Sequence, residues 1–144
     1  MERLNKVFQL PPGERVILVQ AWALFFLVDL GLRVLPFKHL LAFSQKMCLT
    51  RQNKRALVHL PSLPRLLWLV EVAGRYAPVN TTCLKKALVL SRILTRRGIA
   101  TTFRIGVARH EGTLVTAHAW LERQGEVIPS FPACDRYEPL VPAR

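Results

Sequence analysis

The chain has 144 residues, 51% hydrophobic and 21% charged, a balance that fits one folded domain and excludes an intrinsically disordered chain. Its formal net charge of +12 is unevenly placed: six Lys/Arg face three acids in residues 1–50, ten face one in 51–97, and five face five in 98–144. A basic middle third attracts an acidic peptide, an acidic protein surface or nucleic acid without choosing among them, and a solvated helical face explains it equally well.

In chain order, Pro11-Pro12-Gly13-Glu14 reads as a helix start, and the helix runs to about Val34 before Pro36 stops it. Within it, Val16 to Val28 is thirteen residues long, almost wholly apolar and broken only by Gln20. A spanning helix needs about 20 apolar residues, so the run is expected to be a soluble, buried core helix, and membrane contact is not favoured. A second helical stretch is expected from Pro36 to Cys48. The basic patch Thr50-Arg51-Gln52-Asn53-Lys54-Arg55 reads as an exposed turn or helix face, and Pro61 and Pro64 punctuate the chain again beyond it. After Pro64, Leu66, Leu69, Val70 and Ala73 recur at helical spacing, with Arg65, Glu71 and Arg75 elsewhere around the wheel. Pro78 to Thr82 breaks that helix.

From Cys83 to Arg97 one stripe holds Leu84, Ala87, Leu88, Ser91 and Leu94, while Lys85, Lys86, Arg92, Arg96 and Arg97 carry charge. Thr81 or Thr82 can cap its N-terminus, and Gly98 stands where a left-handed C-terminal residue belongs. The period then becomes two. Thr101, Phe103, Ile105 and Val107 alternate with Thr102, Arg104, Gly106 and Ala108 in a first strand. A second strand places Val115, Ala117, Ala119 and Leu121 on one face and Thr116, His118, Trp120 and Glu122 on the other. Glu126 to Ser130 reads as a short third strand, and the proline-rich segment from Phe131 as loop. The fold class is α+β: a helical N-terminal region over residues 1–64, then a core over 65–144 in which a Cys-bearing helix packs on an antiparallel sheet.

Three cysteines, Cys48, Cys83 and Cys134, are odd in number and widely spaced, and no secretory signal pattern is visible. Free thiols in a reducing, cytoplasmic compartment are expected. The four histidines, His39, His59, His110 and His118, show no HxxxH or CxxC pairing, so neither a metal site nor a cofactor is expected. Cysteine chemistry needs a thiolate, and unpaired backbone N–H groups at a helix start favour negative charge. Cys83 sits at such a start with Lys85 and Lys86 nearby, and His118 lies on a strand of the following sheet. A helix opening with Cys and packing on a sheet that presents His can bring nucleophile and base together. By spacing alone, a packed structural Cys and a surface His are the commoner outcomes.

The segments Pro78-Val79-Asn80-Thr81-Thr82-Cys83-Leu84-Lys85-Lys86-Ala87-Leu88, Arg96-Arg97-Gly98-Ile99, Arg104-Ile105-Gly106-Val107 and Ala117-His118-Ala119-Trp120-Leu121-Glu122 stand in an order and spacing that resembles the lasso-peptide biosynthesis B2 proteins. These are transglutaminase-like cysteine leader peptidases. The resemblance is detailed from about Leu66 to Leu140. It implies a papain/transglutaminase-like core and a thiol mechanism in which Cys83 attacks a peptide carbonyl, His118 shuttles the proton and water releases the acyl group. The implied function is removal of the leader from a ribosomally made precursor peptide. The implied partners are that precursor, a separate B1-type leader-recognition protein and an ATP-dependent ring-forming cyclase.

Two other readings stand beside it: a thiol acyltransferase of transglutaminase type, and a non-catalytic basic adaptor for an acidic partner or nucleic acid. No nucleic-acid partner is expected, because no binding motif or aromatic-interleaved basic stretch is present.

The family pattern often places an Asp about a dozen residues after the His, and here that position is Ser130. If Arg123-Gln124-Gly125 forms a three-residue hairpin loop, Glu122 pairs with Glu126 and His118 faces Ser130, with Cβ atoms about 5 Å apart. Ser130 would then orient the imidazole without supplying charge. Glu122 shares the face of His118 but lies about 13 Å along the strand. Asp135, in the proline-rich tail, is the alternative orienter, with a surface-loop carboxylate as its plainer reading.

Overall fold

A computed structural model describes residues 9–36, 38–39, 61–109, 115–129 and 138–139. Helix α1 spans Pro12–Val34, α2 Leu63–Tyr76 and α3 Cys83–Arg96. Strands β1 (Thr102–Arg109), β2 (Val115–Arg123), β3 (Glu126–Val127) and β4 (Glu138–Pro139) form one antiparallel sheet in the order β3-β2-β1-β4. The α+β class is as the sequence predicts. The stretch from Pro36 to Cys48 lies largely outside the described residues.

Proline stands in the first turn of both α1 and α2, where a missing N–H leaves no bond unmade. The two helices pack together. Arg65 grips both carboxylate oxygens of Glu14, at 3.1 and 2.9 Å, across 51 residues of sequence, and its guanidinium also lies 4.4 Å over the Trp68 ring. That bond holds the Glu14 carboxyl below the usual carboxylate range. Helix α1 is buried on one side only. Ile17, Ala21, Phe25 and Asp29 face inward, while Val16, Val19, Phe26, Leu27, Leu30 and Val34 are all about half exposed or more. The thirteen-residue apolar run is therefore not a fully buried core helix. By length and composition alone, α1 passes the test for a bilayer span.

Helix α3 is more deeply buried than a single stripe allows. Ala87, Leu88, Val89, Leu90, Ile93 and Leu94 are all inside, because α1 and α2 cover the helix on one side and β2 on the other. An apolar helix packed between layers buries most of its circumference, and each large side chain removed from water contributes about 1.5–3 kcal/mol. Thr82 caps its start, accepting from Lys85 N at 3.4 Å. Its end is a Schellman motif: Gly98, at φ +73°, donates to Thr95 O, and Ile99 N donates to Leu94 O, both at 3.0 Å.

β1 and β2 pair over eight residues, from Thr102↔Glu122 to Arg109↔Val115. The β2–β3 connection differs from the expected one. Arg123 pairs with Glu126 and Glu122 with Val127, across a two-residue turn with Gln124 at φ 54° and Gly125 at φ 84°. Positive φ at both central residues is the type I′ pattern, whose twist matches that of the strands it joins. Beyond Val127 the pairing continues through Ile128 N, which donates to Leu121 O at 2.9 Å, short of Ser130. The segment after Phe131, expected as loop, contributes β4, which pairs with β1 through Gly106↔Pro139 and Val107↔Glu138. A proline is tolerated there because β4 is an edge strand.

Candidate active site

Cys83 is the first residue of α3, at the end of the helix whose first-turn N–H groups have no intrahelical acceptor and favour negative charge. It is a free, partly buried cysteine. The loop before it is tied down on both sides. Thr81 Oγ1 donates to Gly74 O of α2 at 2.7 Å, and Lys85 Nζ donates to Asn80 O at 2.7 Å. Gly74 permits this closeness: a Cβ there would lie 3.1 Å from both Phe25 Cζ and Thr81 Cγ2.

His118 sits in the middle of β2, opposite Gly106 of β1. Its ring stacks on Trp120 two residues along, with centroids 6.2 Å apart and planes 20° from parallel. Trp120 is buried, and its Nε1 donates to Glu122 Oε1 at 3.1 Å, while Glu122 Oε2 accepts from Arg104 Nε at 3.1 Å. The ring below His118 is thus held by an ion pair spanning β1 and β2. Burial pushes the His118 imidazole below its ordinary value, which favours the neutral form that accepts a proton.

Cys83 and His118 border one cavity of about 350 Å³. Phe25, Val70 and Gly74 form its apolar part, Thr81 and Thr82 flank the cysteine, and Glu71, Arg75 and Lys86 supply charge. The structure therefore brings together the two residues that the sequence singles out. It also corrects their electrostatic setting. Lys85, read from the sequence as one of the charged residues outside the apolar stripe, is buried and bonds Asp29 Oδ1 at 2.5 Å; Lys86 pairs with Glu71. Both lysines beside the thiol are thus matched by carboxylates, and neither is a spare cation for docking.

Placing Ser130 opposite His118 depends on the Glu122↔Glu126 register, which is one residue off the observed ladder. Ser130 and Asp135 lie outside the described residues, as do Cys48, Cys134, His59 and His110. Glu122 bonds Trp120 and Arg104, in keeping with its distance from His118. Among the described residues, no three His, Cys, Asp or Glu side chains gather as a metal site requires.

Sequence reasoning misses Phe25 and Gly74, which line the cavity, and Asp29, which bonds Lys85 behind it. The available signal is Asp29 itself, an acid that follows directly on the apolar run of α1.

No curated protein and no solved structure matches this chain. A family model described as the transglutaminase-like superfamily matches residues 26–141, from the middle of α1 to just past β4. The matched stretch takes in the cysteine-led helix, the histidine-bearing strand and the cavity between them, and the chain belongs to the transglutaminase-like superfamily.

Proposed function

We propose that the protein is a cytoplasmic cysteine peptidase that removes the leader from a ribosomally made precursor peptide during lasso-peptide maturation. The observation that carries the chemistry is the shared cavity, with a helix-start thiol and a half-buried imidazole of lowered basicity on its wall. The Cys83 thiol gives its proton to His118 as Sγ bonds to the scissile carbonyl carbon. The developing oxyanion is met by the backbone N–H of Cys83 and a second donor. His118 then protonates the leaving amine as the C–N bond breaks, and water, deprotonated by the same imidazole, hydrolyses the thioester to a carboxylate and restores the thiol. Ser130 or Asp135 orients the imidazole.

The precursor-specific part of this reading comes from the sequence resemblance, as do the partners: a separate leader-recognition protein and an ATP-dependent cyclase that takes the core peptide. Co-expression with the neighbouring precursor and recognition protein tests it. Leader removal is expected to vanish in Cys83→Ala and His118→Ala, and to fall modestly in either Ser130→Ala or Asp135→Ala. Cleavage that persists in Cys83→Ala refutes the proposal. The mass of the product separates hydrolysis, which leaves a free carboxylate, from acyl transfer to an amine.

A further inference from the structure

Two residues from Cys83, the structure buries an ion pair that the thiol–imidazole chemistry does not use. Asp29 of α1 and Lys85 of α3 are 8% and 9% exposed, and their side chains meet at 2.5 Å across 56 residues of sequence. Lys85 works at both ends. Its Nζ bonds Asp29 Oδ1 and the Asn80 carbonyl, and its backbone N–H bonds the capping hydroxyl of Thr82. The second oxygen of Asp29 accepts from Arg33 Nε at 3.0 Å, which fixes the carboxylate on its own helix. The three residues before the thiol are therefore held from α1 through Asp29 and Lys85, and from α2 through the Thr81–Gly74 bond.

A buried charged pair of this kind is a weak source of net stability, since apolar residues of similar volume often serve as well. It does define direction: a carboxylate and an ammonium in a fixed hydrogen-bonded geometry allow one placement, where apolar side chains allow several. We infer that Asp29 and Lys85 are positioning residues for Cys83, setting the loop and first turn of α3 so that the thiol faces His118. The inference rests on the reading of Cys83 as nucleophile. It makes α1 a working part of the site.

The experiment compares the full chain with Asp29→Asn, Lys85→Met, Lys85→Arg and the paired Asp29→Leu/Lys85→Met variant. One readout is kcat and KM for leader removal from the precursor in the presence of the recognition protein. The other needs no substrate: the rate at which iodoacetamide alkylates Cys83, followed by mass spectrometry of its peptide, with Cys48 and Cys134 as references in the same molecule. Asp29→Asn and Lys85→Met are expected to lower kcat about tenfold to a hundredfold, the range expected of a misplacement near 1 Å. KM should change less than about twofold, since the loss falls on the transition state. The Cys83 alkylation rate should move about fivefold or more relative to the reference thiols, by the dependence of thiol reactivity on its surroundings. Lys85→Arg should recover most of both. The paired apolar variant should regain the wild-type melting temperature but not its kcat.

If that variant recovers kcat and alkylation rate together with stability, the pair is only structural and the inference is overturned. Unchanged kcat and alkylation per folded molecule in the single variants overturn it too. Cys83→Ala keeps the two levels apart. Turnover that survives it removes the nucleophile, whereas the alkylation rate tests the hold on the thiol by itself.

Discussion

Gly74 is the place where a single methyl group should reach the active site. In a helix, Gly→Ala ordinarily stabilises by about 0.8–1 kcal/mol. Here the added Cβ would stand 3.1 Å from Phe25 Cζ and 3.1 Å from Thr81 Cγ2, whereas carbon pairs prefer about 3.5–4.0 Å. Neither neighbour yields easily. Phe25 is 0% exposed within the core, and Thr81 is pinned by its bond to the Gly74 carbonyl. Overpacking of this kind costs about 1–3 kcal/mol, so Gly74→Ala should destabilise by about 1 kcal/mol net, or about 3 °C in Tm for a chain of this size. Displacing Thr81 by about half an ångström carries the following turn with it, and kcat should fall about tenfold. Thr81→Ser deletes the colliding methyl and keeps the hydroxyl, so in the Gly74→Ala background it should return about 0.5–1 kcal/mol, read by a urea-unfolding double-mutant cycle. A Tm that rises by the full helix-propensity gain, with no coupling to position 81, would refute this account of why the residue is glycine.

Two further outcomes are expected from the titrating groups. Partial burial depresses the His118 imidazole below its ordinary 6.5, so the free base persists to lower pH and the acid limb of kcat/KM should lie below 6.5; a limb above that value contradicts the neutral base. Glu14 is also depressed, by its bond to Arg65. The stability it contributes is fully present above the unfolded value of 4.5 and is lost as pH falls through the folded value. Melting temperature should therefore decline below about pH 4.5 in the wild type, and more shallowly in Glu14→Gln.

Much of the architecture is carried by local signals that tertiary packing had no reason to override. Proline at the starts of α1 and α2, threonine before Cys83 and glycine after Arg97 each solve a helix-end problem with a nearby residue, and the described helix boundaries fall where those residues stand. The strand alternation that puts His118, Trp120 and Glu122 on one face is equally local, and these three do form a contact series. What escapes depends on partners far along the chain. Lys85 lies among charged residues on the helical wheel, and only Asp29, 56 positions earlier, explains its burial. A single stripe is too narrow for α3 because the second layer over it, α1 and α2, is invisible to a periodicity count. The hairpin register hinges on one turn. Gln is not a residue that favours positive φ, so local preference points to the longer loop, while the ladder takes Gln124 into that region and shifts by one residue.

The row through the base has a consequence for how the molecule comes into being. His118, Gly106 and Pro139 stand side by side across β2, β1 and β4, so one outer edge of the histidine's sheet is closed by residues translated after both strands they flank. Synthesis proceeds from the N-terminus, so the residues of α1, α2 and α3 leave the ribosome before those that close this edge. During that interval β1 presents unpaired backbone groups, which invite another strand. A nascent chain thus has its nucleophile early and its finished sheet late, and the hazardous interval lasts until Glu138 and Pro139 dock.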